Sequence, residues 1–168
     1  FQVNGAPIPD AALDRLTERV LAAADTLPEH PTEFELMTAI GFLWFAEAGC
    51  ALVVVEVSLG GRLDSTNVIP APEAAVITNI GLEHTAILGS TLAAIAAEKS
   101  GILKPGCRAV LYGQSREVGE VVARVCAEKE IPLTATAASQ LTLLPSGRDG
   151  QRSTYRGSAP RLIGSFAL

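Results

Sequence analysis

Apolar residues at Leu13, Leu16, Val20 and Leu21 in PDAALDRLTERVLAAADT recur at helical spacing against a polar opposite face, and Asp10 stands where an N-cap belongs. In PTEFELMTAIGFLWFAEAG, Thr32 and Glu35 are in capping-box register and Gly49 is placed to end the helix. The middle of that run is apolar on most sides, which predicts a buried helix with Phe42, Trp44 and Phe45 in the core. The period then changes. CALVVVEV, residues 50–57, is the continuous β-branched run of a strand buried on both faces of a parallel sheet. AAVITNI (74–80), CRAVLYG (107–113) and the shorter IPLTAT (131–136) repeat that signal. Between them stand two helical stretches, STLAAIAAEKSGI capped by Ser90 and SREVGEVVARVCAEKE capped by Ser115. This alternation predicts an α/β fold, a mostly parallel sheet flanked by helices. After Ala138, LTLLPSGRDGQRSTYRGS predicts two strands joined by a Gly-Asp-rich turn, and RLIGSFAL one more, a small antiparallel region. The expected layout is one domain: a helical segment over 1–50, a parallel α/β core over 51–135 and a β-rich segment over 136–168.

Composition narrows the picture. Hydrophobic residues make up 48% of the 168-residue chain and charged residues 18%, enough for a packed core. A net charge of -5 argues against nucleic-acid binding through a broad basic face. No apolar run is long enough to span a bilayer, and FQVNGAPIPD has no signal pattern. The chain begins without Met, so it is expected to be an internal piece of a longer protein. Cys50, Cys107 and Cys126 have no metal spacing and read as free, buried thiols of a cytoplasmic protein. His30, between prolines in PEHP, reads as a loop residue.

The candidate chemistry sits at strand ends, where open parallel sheets bind their ligands. The run VVVEVSLGGRLDSTN ends in Glu56 and opens onto Gly60, Gly61, Arg62, Asp64 and Asn67. Glu56 is either a strand-end acid or a ligand. The glycines either form a tight turn or let backbone approach an anion closely. Arg62 can clamp a phosphate or carboxylate. Asp64 and Asn67 can fix the loop by turn hydrogen bonds. TNIGLEHT carries His84, a structural histidine or a metal ligand. EKSG carries Lys99, a helix-terminal cation or a functional amine, beside Glu98, which reads as a salt-bridge or solvent-facing residue.

EVSLGGRLDSTN followed by AAVITNIGLEHTAILGSTLAAIAAEKSGILKPG resembles the central domain of folylpolyglutamate synthases and dihydrofolate synthases, of the Mur ligase superfamily. FQVNGAPIP and TEFELMTAIGFLWF are similar to segments upstream in that family. The chain departs from it at Ser58, where Gly is frequent, and at Glu83, where Asp is common. The resemblance implies ATP-dependent ligation of L-glutamate to folate or dihydropteroate through an acyl phosphate. It implies Mg2+, with ATP as co-substrate, and a monovalent cation. It assigns Glu56 and His84 to metal ions and makes Lys99 a carbamylated lysine serving as a further metal ligand. Gly60, Gly61, Arg62, Asp64 and Asn67 become the loop beside nucleotide and substrate. The chain has no G-x-x-G-K-[ST] phosphate loop, so on its own it is expected to be inactive. The parent is expected to be a monomer, and the piece to dimerise through exposed sheet surface. A non-catalytic interaction module that keeps the fold is the alternative. A dinucleotide-binding domain is disfavoured, since SLGGRLDSTN has no G-x-G-x-x-G before a helix.

Overall fold

A computed structural model describes residues 1–143, 151–155 and 163–166, and the chain divides into two compact units. The first comprises Phe1–Leu59 and Asp64–Val68, the second Gly60–Leu63 and the chain from Ile69 onward.

The first unit opens with a hairpin the strand patterns missed, β1 (Gln2–Val3) paired antiparallel with β2 (Ala6–Pro7). Its turn residues Asn4 and Gly5 have φ of 52° and 80°, as an Asn-Gly turn of the primed type requires. Helix α1 spans Asp10–Ala24, and its N-cap is Pro9. Asp10 is therefore the first helical residue, where its charge favours the helix dipole, and not the cap. Helix α2 spans Glu33–Glu47 and has the full capping box: the Thr32 hydroxyl accepts from Glu35 N, and Glu35 accepts from Thr32 N at 2.8 Å. Gly49, at φ 65°, follows the end of α2 as expected. Ile8, Leu16, Val20 and Ile40 form the core between the helices, with Leu13, Leu36, Leu43 and Trp44 packed against it. Leu21 faces out. Arg15 closes the pair with two bonds to the Glu47 carboxylate, at 3.1 and 2.6 Å.

Two expectations fail here. Helix α2 is not buried all round: only Ile40 and Gly41 are buried, Phe34 and Met37 are exposed, and Phe42 and Phe45 are half-buried. Residues 52–57 run outside any sheet, with Leu52 76% and Val54 90% exposed. The second departure follows from pairing. A β-branched run becomes a strand only when a neighbour completes its hydrogen-bond ladder, and no described strand pairs with this one.

The second unit has the predicted parallel sheet. Strands β3 (Ala74–Ile77), β4 (Arg108–Leu111) and β5 (Leu133–Ala135) lie in that order, all parallel. β3 is buried on one face only, since Ala75 and Ile77 are covered while Val76 is 56% exposed. Helix α3 is the single turn Thr85–Leu88. Helix α4 spans Leu92–Lys99 and is capped by Thr91, whose hydroxyl accepts from Ala94 N at 3.1 Å, not by Ser90 one residue earlier. Helix α5 spans Arg116–Glu128 with Ser115 as its cap, as predicted. Ile95, Leu103, Cys107, Val118 and Val122 are fully buried. Cys107 and Cys126 are buried free thiols, whereas Cys50 in the first unit is half-buried. β6 (Leu141–Leu143), β7 (Gln151–Tyr155) and β8 (Ile163–Phe166) form the expected antiparallel sheet. The Gly-Asp-rich turn between β6 and β7 lies outside the described residues.

Candidate functional site

The loop after Glu56 is organised by Asp64. Its Oδ2 accepts from Ser58 N at 3.0 Å and Leu59 N at 2.8 Å, and its Oδ1 from Thr66 N at 2.9 Å and Thr66 Oγ1 at 2.5 Å. Burial pushes the Asp64 carboxyl up, but these four bonds to its ionised form outweigh burial and hold it below the usual carboxylate range. Asn67 N donates to the Asp64 carbonyl at 2.9 Å, and the short turn Ser65–Val68 is tied to α2 where Ser65 Oγ meets Thr38 Oγ1 at 3.0 Å. The turn role expected of Asp64 and Asn67 is thus what these contacts provide.

In the second unit Gly60, Gly61 and Arg62 dock on the end of α4. A Cβ on Gly61 would sit 2.9 Å from the Lys99 carbonyl oxygen and 3.0 Å from that of Glu98. A Cβ on Gly101 would lie 2.4 Å from Arg62 Cα. Glycine at both positions is therefore a packing requirement, in which two backbone segments pass closer than any side chain permits. Arg62 N donates to the Glu98 carbonyl at 3.0 Å. The Arg62 guanidinium meets the Glu98 carboxylate, with Nε 3.3 and 3.2 Å from its oxygens and Nη2 3.1 Å from one of them. The carboxylate that Arg62 clamps belongs to the protein itself. Because 56% of the Arg62 side chain and 30% of the Glu98 side chain are exposed, solvent screens the pair. A double-mutant cycle of Arg62→Ala and Glu98→Ala, read by urea unfolding, is expected to return a coupling below about 1 kcal/mol. A coupling well above that would mean the pair itself holds the loop.

Three candidates are left uncommitted. Among the described residues the side chains of Glu56, His84 and Lys99 make no hydrogen bond or ion pair. Glu56, in the first unit, is exposed and lines an apolar recess of about 210 Å³ with Phe34, Met37, Phe42, Phe45 and Val54. His84, in the second unit, is exposed and held at φ 52°, a left-handed conformation uncommon outside glycine, while its carbonyl accepts from Ile87 N and Leu88 N. Lys99 is half-buried as the last residue of α4, where a cation suits the helix dipole.

Glu56 offers a carboxylate, the oxygen donor that hard divalent cations take, and His84, in the other unit, offers an imidazole nitrogen, a donor of borderline metals. Among the described residues no three His, Cys, Asp or Glu side chains gather into a metal cage. A single carboxylate such as that of Glu56 is compatible with magnesium, which keeps several waters and takes few protein ligands beside phosphate oxygens.

One residue that the sequence reading passed over matters to the strand-end loop. Gln114 Oε1 accepts from Ile80 N at 2.8 Å, while its Nε2 donates to the Thr78 carbonyl at 2.9 Å and the Tyr112 carbonyl at 3.2 Å. The available signal was a polar residue directly after the glycine that ends CRAVLYG.

No protein-family model matches the chain. It is 45% identical over 127 residues to a dihydrofolate synthase/folylpolyglutamate synthase of Bacillus subtilis (strain 168), covering 73% of this chain and 29% of that protein. It is 40% identical over 128 residues to the folylpolyglutamate synthase of Lacticaseibacillus casei, covering 73% of this chain and 30% of that protein. A solved folylpolyglutamate synthase in complex with AMPPCP and folate superposes with a TM-score of 0.86 at 34% identity, covering 95% of this chain and 40% of the other. The chain thus spans less than a third of the length of these two curated relatives. Among the described residues no helix is long and apolar enough to cross a membrane.

Proposed function

Since the chain belongs to the folylpolyglutamate synthase and dihydrofolate synthase family, we propose that it is the central segment of an ATP-dependent ligase that joins L-glutamate to folate, to dihydropteroate, or to both. The observation that carries this reading is the likeness to a synthase complexed with an ATP analogue and folate. The three uncommitted side chains support it.

The reaction needs a carboxylate brought in line with the γ-phosphorus of ATP while phosphate charge is neutralised. The carboxylate oxygen bonds to phosphorus and ADP leaves. The glutamate amine then attacks the acyl carbon, phosphate departs and the amine proton is lost. When bound, magnesium supplies charge neutralisation for the phosphates. Glu56 and His84 hold cations through their free oxygen and nitrogen donors. Lys99 takes up carbon dioxide at its amine with loss of a proton, and so becomes an anion with oxygen donors in place of a cation. Gly61, Gly101, Arg62 and Glu98 keep the loop seated on α4, and Asp64 braces the chain on either side of the turn. The protein works in the cytoplasm, where its three free cysteines stay reduced. The 168-residue chain lacks a Gly-Lys-Ser/Thr phosphate loop and is inactive by itself.

The test is ligation by the protein that carries this chain, with ATP, magnesium, L-glutamate and either folate or dihydropteroate. The expected product is the substrate extended by one glutamyl residue, with one ADP released per bond formed. ADP release that needs neither substrate nor glutamate would remove the reading.

A further inference from the structure

We propose that Gln114 is a positioning residue, whose side chain continues the β3–β4 ladder past its last backbone pair and sets the course of the loop that carries His84. The proposal rests on the reading of His84 as a cation ligand given above.

The parallel ladder ends in register at Ile77 opposite Leu111, and Tyr112 N adds one more bond to the Ile77 carbonyl at 2.9 Å. Beyond this point the β4 backbone is drawn to the β5 side. Thr136 N donates to the Leu111 carbonyl at 2.9 Å, and Gly113 passes so close that a Cβ there would lie 2.1 Å from the Thr136 carbonyl oxygen. The continuation of β3 consequently has a carbonyl at Thr78 and an amide at Ile80 facing a strand that has turned away. Ile80 is buried, so leaving its amide unpaired would be costly. The Gln114 carboxamide meets both groups, and a third bond to the Tyr112 carbonyl ties it to its own strand.

The orientation of the amide is fixed by chemistry. Ile80 N–H can only donate, and the Thr78 and Tyr112 carbonyls can only accept. Exchanging Oε1 and Nε2 would set donor against donor and acceptor against acceptor. Glutamine alone combines donor, acceptor and reach here, since asparagine is one methylene shorter and glutamate lacks the donor. His84 follows four residues after Ile80, in a left-handed conformation that only a fixed loop maintains. A residue that holds such a loop acts on the cation through His84, as outer partners of metal ligands do.

The experiment compares wild type, Gln114→Ala and Gln114→Glu in the protein that carries this chain, by amide hydrogen exchange and by the magnesium dependence of ligation. In Gln114→Ala the Ile80 amide is expected to exchange about tenfold faster or more, with Val110 and Leu111 unchanged. The magnesium concentration for half-maximal rate is expected to rise about tenfold, with the KM for glutamate unmoved. A merely structural defect would lower the folded fraction and kcat and leave half-saturating magnesium in place. Gln114→Glu keeps length and the acceptor for Ile80 but repels the Thr78 carbonyl, so it should protect the Ile80 amide and still raise the magnesium requirement. It also serves if the alanine variant does not fold. Wild-type protection of Ile80 in Gln114→Ala, or an unchanged magnesium requirement in both variants, would overturn the proposal. A wild-type protein with no magnesium-dependent ligation would overturn the ligase reading first, and the role assigned to Gln114 with it.

Discussion

Glu56→Ala is expected to cut the ligation rate of the protein that carries this chain by a hundredfold to a thousandfold, on the order seen when one electrostatic stabiliser of a transition state is removed. The same substitution should leave the free energy of unfolding within about 0.5 kcal/mol of wild type, as for surface positions that hold nothing in place. The first half rests on the role proposed for Glu56 as a cation ligand, the second on its contacts. The Glu56 carboxylate is exposed and, among the described residues, bonds to nothing in the protein, so the fold does not depend on it. A carboxylate that the fold does not use, placed after three valines and beside an apolar recess, is free for a cation. Glu56→Gln separates charge from shape: it keeps the size of the side chain and one neutral oxygen, and it should be nearly as inactive as alanine. Rate measurements at saturating substrate, paired with urea unfolding of each variant, check the split. An active Glu56→Ala would remove Glu56 from the chemistry. An inactive variant that also loses several kcal/mol would make it a structural residue instead.

The contrast between committed and uncommitted side chains explains what was legible in the sequence. Signals carried by residues three or four apart came through intact, as in the Thr32–Glu35 capping box and the Ser115 cap. These depend on local geometry, which spacing encodes. The caps of α1 and α4 were each placed one residue off: Ser90 and Thr91 are alike in capping type, and Asp10 is the better cap by type but stands as the first helical residue after Pro9. Residues 52–57 misled for another reason. Their β-branched side chains fit a pleated sheet, but pairing is a long-range event that no local pattern contains. The glycines at 60 and 61 read as a tight turn or as a loop open to an anion, and the partners that require glycine at 61, the carbonyls of Glu98 and Lys99, lie thirty-seven and more residues away along the chain. Arg62 shows the same limit, since its carboxylate partner is an internal one. Glu56, His84 and Lys99 also read from the sequence as, in turn, a strand-end acid, a structural histidine and a helix-terminal cation, and only the resemblance singled them out as ligands.

Asp64 is the opposite case, and its loss should be read in stability. Asp64→Asn is expected to destabilise the fold by about 2–3 kcal/mol, because an amide nitrogen must then face backbone donors that an ionised carboxylate accepts. Turned one way, the amide nitrogen faces Ser58 N and Leu59 N, which both lose their acceptor; turned the other way it faces Thr66 N, which loses its acceptor, and Thr66 Oγ1, whose hydroxyl must reverse to accept. The wild type should also show an acid limb that the variant lacks. The folded-state pKa of Asp64 is lowered by these bonds despite its burial, so the ionised group stabilises the fold at neutral pH. That stabilisation is fully present above the unfolded-state pKa of about 3.9, and it is lost as pH falls through the lower folded-state value. Exposed Glu35 and Glu47 have lowered pKa values too, from the Thr32 cap and from Arg15, and they titrate in both proteins. Subtracting the Asp64→Asn unfolding profile from that of the wild type between neutral pH and about pH 3 removes their part. The difference should be flat near neutrality and shrink only below about pH 4. A difference that stayed constant down to the lowest pH would mean Asp64 holds the loop by shape and not by charge. A difference that grew as pH fell from neutrality towards about pH 4 would mean its carboxyl is raised in the folded protein, with burial winning over the four hydrogen bonds.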